Sequence, residues 1–511
     1  MLPRLPGVVA RVLSCLLRGL EGHLVEIQVD ISSGPVGFAL VGLASGSVRE
    51  AKERVRSAIH NSGLPFPSQR KLTVNLAPAE LRKDGAGLDL AIGVGISLAA
   101  LGLPSPRSTA FLGELALDGA VRHVDGVLVA ARGLIRHGVG ALFVPEADAA
   151  EAALAGGLRV YPCPSLSIAM AHLTGDTLLD PYSGRAPAPA AADASPEHDL
   201  AEVQGQDSAR RALEVAASGG HNLLMYGPPG AGKTMLARTL PGLLPPLELQ
   251  EALELAQVRS VLGDLTAGRP LEWVRPFRAP HHSVSLAGLI GGGSGLATPG
   301  EISRAHHGVL FLDELAEFRA ATLQALRQPM EQGHIVITRR SGSVVYPARF
   351  QLVAATNPCP CGWEGDSQRS CRCTPASVEA YQRTLSGPLL DRIDLQVVVA
   401  RTPMDVLGRE AVGESSAAVR ARVVAARQLQ IDRQSTLNAG LRAPQLRRWA
   451  PLDATALSAL RRWAGQRGLS ARGFHRAWRV ARTIADLDTG GPVREHHVME
   501  ALGYRLVERA A

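Results

Sequence analysis

A chain of 511 residues is too long for a single hydrophobic core and suggests about three domains. With 46% hydrophobic and 20% charged residues it falls outside the disordered and fibrous classes. Its 54 basic against 47 acidic residues leave a net charge of +7, a mild lean towards polyanions that composition alone does not turn into nucleic-acid binding. Six cysteines, four of them crowded between positions 359 and 373, argue against a secreted disulfide framework and for a reducing, cytoplasmic compartment.

The first residues have a faint signal-peptide character, but Arg11 and Arg18 interrupt the apolar run and no clear cleavage site follows. No stretch reaches the roughly 20 uncharged apolar residues that span a bilayer, so no membrane partner is expected. In the N-terminal domain, residues 1–178, His23–Ile31 alternates like a strand, whereas Ser47–Ser62 and Leu88–Leu101 carry helical spacing. This domain reads as mixed α/β. A Pro/Ala-rich linker follows at 179–199, clearest from Arg185 to Glu197.

In the next domain, 200–401, Gln206–Ser218 reads as a helix that stops at Gly219-Gly220. The run Asn222–Tyr226 then feeds a glycine-rich loop. Val309–Leu312, Phe350–Ala355 and Leu395–Val399 are further apolar strand candidates. Such strands separated by helices predict a parallel sheet covered on both faces. From 402 to 511 the strand signal fades and Arg-rich helices predict a helical lid.

The loop Gly227, Pro228, Pro229, Gly230, Ala231, Gly232, Lys233, Thr234 has the P-loop spacing. In that pattern backbone N–H groups and a helix N-terminus cradle phosphates, the lysine reaches the β and γ phosphates, and the hydroxyl holds Mg²⁺. ATP and Mg²⁺ are therefore the expected cofactors. The chain has only four lysines, Lys52, Lys71, Lys83 and Lys233, so a compact ammonium at the loop reads as a chemical requirement. Val309–Leu312 ends in Asp313-Glu314, where Asp313 would orient Mg²⁺ and Glu314 would act as general base on the attacking water. Asn357 closes the following strand, where an amide can position that water, although asparagine there also suits a turn.

Cys359, Cys361, Cys371 and Cys373 form two Cys-x-Cys pairs nine residues apart. Four thiolates suit a closed tetrahedral Zn²⁺ site, while free thiols, an iron–sulfur cluster or a redox pair stay open on spacing alone. Placed directly after Asn357, this insertion is expected to project towards a pore or a nucleic acid. Cys15 and Cys163 read as buried apolar residues. Gly333–Thr338 and Ser343–Tyr346 predict a hairpin whose tip carries Arg339 and Arg340, a possible phosphate contact or simply a solvated turn.

Gly205-Gln206, the P-loop, the insertion Arg278–Ser285 through Gly291–Gly295 and Pro299–His306 together resemble the magnesium-chelatase-like AAA+ proteins, and within them the YifB/ComM family. The resemblance covers almost the whole chain outside the linker. It implies a homo-hexameric ring that binds DNA and drives branch migration during natural transformation. Leu389–Asp394 is similar to the arginine-finger segment of this superfamily, which would make Arg392 a finger acting on a neighbouring subunit's γ-phosphate. Ser470-Ala-Arg472 resembles the sensor-2 position, giving Arg472 a nucleotide contact.

Lys83-Asp-Gly85 with Gly113–Val121 is similar to the proteolytic domain of Lon (ribosomal protein S5 domain 2-like). On that alignment Gly87 replaces the nucleophilic serine and Leu128 the activating lysine, so the Ser/Lys chemistry is gone. The competing reading is an ATPase subunit that remodels a protein partner, as in magnesium chelatase.

Overall fold

The computed structural model describes residues 9–42, 46–81, 83, 85–184, 198–266, 270–293, 297–339, 342–366, 368–385, 389–402, 413–488 and 490–505. The start of the signal-like stretch, Asp84, Arg185–Glu197 of the linker, Gly295 and the hairpin-tip residue Arg340 lie outside them.

The first unit runs in chain order through β1 (Ala10–Arg18), β2 (Glu21–Ser32), β3 (Gly37–Val41), α1 (Gly46–Asn61), β4 (Lys71–Ala77), α2 (Asp89–Leu101) and β5 (Thr109–Phe111). A small ribbon, β6 (Glu114–Leu115) with β7 (Val121–Arg122), precedes α3 (Val127–Arg136), β8 (Ala141–Val144), α4 (Ala149–Ala153), β9 (Arg159–Pro162) and α5 (Leu166–Thr174). Seven strands form one sheet in the order β3-β4-β2-β1-β5-β8-β9. It is antiparallel where β2 meets β1 and β4, and parallel elsewhere. The period-two pattern of β2 buries Val25, Ile27 and Val29 on one face, as its alternation requires. Helix α2 lies on that face and approaches closely at Gly95, where a Cβ would stand 2.9 Å from a Val29 methyl. The signal-like run from residue 10 onward is β1, an interior strand.

The second unit contains α6 (Asp207–Gly219), β10 (Leu223–Tyr226), α7 (Lys233–Leu243), α8 (Leu249–Val261), β11 (Phe277–Arg278) and α9 (Leu286–Ile290). It continues with the ribbon β12 (Gly291–Gly292) and β13 (Thr298–Pro299), then α10 (Glu301–Arg304), β14 (Val309–Leu312), α11 (Ala320–Ala325) and α12 (Arg327–Gln332). The hairpin β15 (His334–Arg339) and β16 (Gly342–Pro347), β17 (Gln351–Thr356), α13 (Pro375–Leu385) and β18 (Leu395–Val398) complete it. A five-stranded sheet, all parallel, has the order β11-β14-β17-β10-β18. Leu223, Met225, Val309 and Phe311 enter one core, and Leu224, Leu310 and Leu312 enter the other, so both faces are covered and the strands read as continuous apolar runs. In the hairpin, Arg339 pairs with Gly342, so Arg339 belongs to β15 and not to the connection.

The remaining helices are α14 (Ser416–Gln434), α15 (Ala443–Trp449), α16 (Ala454–Arg467), α17 (Ala471–Asp488) and α18 (Glu495–Gly503). Two arginines of α17, Arg476 and Arg482, are drawn inward. Arg482 is 2% exposed and pairs with Asp486, and Arg476 is 7% exposed beside Asp394. Arg433 makes two bonds to the same Asp486, and Asn438 and Thr483 continue the network to His221. Buried charges are tolerated here because each has a partner.

The two units pack through α3 and α8. Leu128 sits with Ala252, Leu255, Ala256 and Trp273, and Ser260 donates to the Glu151 carboxylate at 2.6 Å. Leu128 is thus part of an apolar interface with the second unit.

Candidate nucleotide site

Strand β10 is apolar because it lies between β17 and β18, and its last residue hands the chain to the P-loop at the carboxyl edge of the sheet. Gly227 has no alternative: a Cβ there would stand 2.0 Å from the Val399 carbonyl oxygen. Gly232, at φ +87°, turns the loop into α7 in a conformation that glycine adopts without strain. Lys233 follows as the first residue of α7 and is 7% exposed. Its ammonium donates to the Gly227 and Pro228 carbonyls at 2.6 and 2.9 Å and to Asn357 Oδ1 at 3.0 Å. Burial lowers its pKa to about 8 against the opposing pull of Asp313 and Glu314.

Thr234 Oγ1 donates to Asp313 Oδ2 at 2.7 Å, so the proposed Mg²⁺ hydroxyl and carboxylate already meet. Both would become ligands, directly or through water, when the cation binds with a triphosphate. Glu314 is in the left-handed region at φ +51° and caps a short turn, Leu315–Glu317. Its carboxylate stands 3.3 Å from His282 Nδ1. His282 has no role assigned from the sequence, where the Arg278–Ser285 segment carries only the family resemblance. Asn357 directly follows β17, the strand between β10 and β14, which sets it between the P-loop and the two carboxylates.

Arg392 is elsewhere. It precedes β18 on the turn Leu390–Arg392, whereas the P-loop follows the opposite end of the parallel neighbour β10. Its guanidinium meets Glu331 at 2.5 Å, and its carbonyl accepts from Asn222 at 3.0 Å. Asp394 anchors this segment through His221 at 3.3 Å and Arg476 at 3.7 Å. Burial pushes the Asp394 carboxyl up, but His221 and Arg476 outweigh it and hold it below the usual range. Arg472 is exposed on the first turn of α17, a helix that packs on α6.

The four cysteine sulfurs of 359, 361, 371 and 373 lie within 4.8 Å of one another. Rather than projecting away, their loop folds back on the P-loop. The N–H groups of Arg372 and Trp363 draw the Cys361 thiol down to about 6. Cys15 and Cys163 are buried, which pushes both thiols up to about 12.

Glu254, His306 and His307 form a second group with ligand-like spacing. Here His306 Nδ1 accepts the Arg349 N–H at 3.0 Å, so the neutral ring carries its proton on Nε2, towards Glu254. That nitrogen has no lone pair for a cation, and the group is a hydrogen-bonded brace. Burial opposes ionisation of Glu251 and Glu254, yet His307 and their other partners hold both at about 2. Burial lowers His306 to about 4. The unfolded chain therefore binds more protons in acid, and stability falls as the pH drops from 6.5 towards 4 through His306 and from 4.5 towards 2 through the two carboxylates. Thermal melts of wild type and Glu251→Gln should differ at neutral pH and converge towards pH 2; a constant difference would remove Glu251 from the acid limb.

A parallel sheet with a P-loop on an interior strand, paired carboxylates two strands away and a helical lid defines the AAA+ class. Residues 199–407 match the family described as magnesium chelatase, subunit ChlI, residues 27–148 match subunit ChlI of Mg-chelatase, and residues 413–505 match its C-terminal family. The chain is 43% identical over 497 residues to the YifB protein of Escherichia coli, covering 96% of each. It is 42% identical over 501 residues to competence protein ComM of Haemophilus influenzae, again covering 96% of each. The magnesium-chelatase 38 kDa subunit of Rhodobacter capsulatus is 28% identical over 235 residues, 43% of this chain. The chain belongs to the magnesium-chelatase-like YifB/ComM family. No helix among the described residues is long and apolar enough to cross a membrane.

Proposed function

We propose that this chain is an ATP-hydrolysing motor that acts on DNA as a homo-hexameric ring, driving branch migration when incoming DNA is recombined during natural transformation. The observation that carries the ATPase reading is the convergence of Lys233 with Asn357 and of Thr234 with Asp313 at one sheet edge. ATP and Mg²⁺ are its cofactors, with Zn²⁺ at the four cysteines. Lys233 and the loop N–H groups hold phosphate, Glu314 orients and deprotonates water, and Arg472 contacts the nucleotide from the lid.

What supports the ring is Arg392, which precedes β18 at the end of the sheet opposite the P-loop of its own chain and would complete a neighbour's site. DNA enters from the likeness to a protein named for competence and from the hairpin β15–β16, which bears Arg339 and stands against Arg18, the last residue of β1. Contacts of this kind are salt-dependent and sequence-blind. The first unit is a Lon-like fold with glycine and leucine at the dyad positions, serving assembly instead of proteolysis. The protein works in the cytoplasm.

The test is the ATPase rate of the assembled protein with and without forked or four-way DNA, together with migration of a synthetic junction. Stimulation with migration supports the reading. Hydrolysis by an assembled ring with neither effect would overturn it and favour the remodelling role of a chelatase-like subunit.

A further inference from the structure

We propose that the four-cysteine loop is a zinc-pinned wall of the nucleotide site, which holds Asn357 and the P-loop in register for hydrolysis. This rests on the Zn²⁺ reading above and adds a role for the metal in turnover.

The sulfurs have the geometry of one ion. Cys359 Sγ lies 3.4 Å from Cys361 and 3.7 Å from Cys371, and the last two are 3.6 Å apart. A tetrahedron with Zn–S bonds of about 2.3 Å has an edge of about 3.8 Å. A disulfide would need about 2.05 Å, and a cluster with several irons would spread the thiolates more widely. The Cys373 N–H points at Cys371 Sγ at 3.4 Å, an outer contact that orients a ligand sulfur. All four donors come from protein, so no position is left for substrate or reacting water, and the ion is structural.

What it holds in place is the catalytic edge. Only Pro358 separates Asn357 from Cys359, and the Pro358 carbonyl accepts from Tyr226 at 3.4 Å and Gln382 at 3.3 Å. Gly362, at φ +82°, lies so close to the P-loop that a Cβ would stand 2.6 Å from Pro229 Cδ and 3.9 Å from Asn357 Cγ. The guanidiniums of Arg369 and Arg401 both stand over the Trp363 ring, 4.7 and 4.6 Å from its centre. Arg401 also pairs with Asp366 at 3.7 Å. Next to Arg401, the Ala400 carbonyl accepts from Gln206, and Val399 presses on Gly227. One loop therefore touches the water-positioning amide, the P-loop and the end of β18. Free of its ion, this 15-residue span, residues 359–373, would keep only its few hydrogen bonds, the Trp363 stacking and the Arg401–Asp366 pair to hold those three contacts against the entropy of a loop.

The experiment measures zinc per chain in the purified full-length protein by thiol-displacement release to a chromophoric chelator, beside ATP affinity, kcat and ring assembly. Wild type should carry one zinc per chain. Cys371→Ser with Cys373→Ser should lose it and lower kcat by about tenfold or more, as outer-shell and ligand losses commonly do. Gly362→Val keeps all four ligands but drives a side chain into Pro229. It should retain zinc and still weaken ATP binding or turnover, so it decides the matter even where the cysteine variant fails to fold. Absence of zinc from wild type would overturn the metal reading itself. Zinc present, with Gly362→Val or the double variant hydrolysing ATP at the wild-type rate and affinity, would leave the metal reading intact and overturn the coupling.

Discussion

Glu314→Gln is expected to bind ATP with wild-type affinity and to lose turnover by about 10²- to 10⁴-fold, the range set by removal of a general base. The substitution conserves size and leaves the phosphate-holding groups alone: Lys233 keeps its bonds to the loop and Asn357, and Thr234 keeps Asp313. The Glu314 carboxylate is 52% exposed and contributes no core packing, so the fold should be unaffected. Its only close ionic neighbour among the described residues is His282, whose ring can equally donate to an amide oxygen. The trapped ATP state should still assemble. Titration with a fluorescent ATP analogue alongside phosphate release separates binding from chemistry. Full turnover in the variant would mean that another group takes the proton, and weakened binding would mean that Glu314 helps hold nucleotide in the ground state.

The parts of this site that were legible in the sequence are those whose meaning lies within a few consecutive residues. A P-loop announces itself because one strand, one turn and one helix start lie in register along the chain, and Asp313-Glu314 and Asn357 are readable because each ends an apolar run. The fold class follows from the same signal. What the sequence did not yield depends on partners that are distant in it. The period of α17 marks an apolar stripe, but nothing in it says that Asp394 and Asp486 will meet Arg476 and Arg482. The contact of Gly362 with Pro229, more than a hundred residues earlier, turns a loop expected to protrude into a wall of the site. His282 reaches Glu314 only because the long insertion after β11 returns to the edge of the sheet. Leu128 could be read as a lost catalytic residue, whereas its burial against α8 needed both units in place.

Arg392→Ala should retain ATP binding and lose about 10³- to 10⁵-fold in kcat, the loss expected when a finger that offsets transition-state charge is removed. The geometry makes the direction of this effect specific. Arg392 precedes β18 while the phosphate loop follows β10, and because the two strands are parallel and paired at Leu223 with Leu395, their opposite ends cannot converge within one chain. The segment is held from several sides, by Asn222 on the Arg392 carbonyl, Arg505 on the Ile393 carbonyl and the Asp394–His221 contact, so truncating the guanidinium leaves its backbone anchored. Glu331, its ion-pair partner here, is largely exposed and can be solvated on its own. Mixing decides whether the finger acts in trans. Lys233→Ala chains cannot hold phosphate but still present Arg392, whereas Arg392→Ala chains present an intact P-loop. Each should be inactive alone, and a mixed ring should recover part of the wild-type rate wherever an Arg392→Ala site abuts a Lys233→Ala neighbour. Recovery would tie hydrolysis to the subunit boundary. Full activity of Arg392→Ala by itself would remove the finger, and inactivity of mixtures shown to co-assemble would place the arginine's contribution within its own chain.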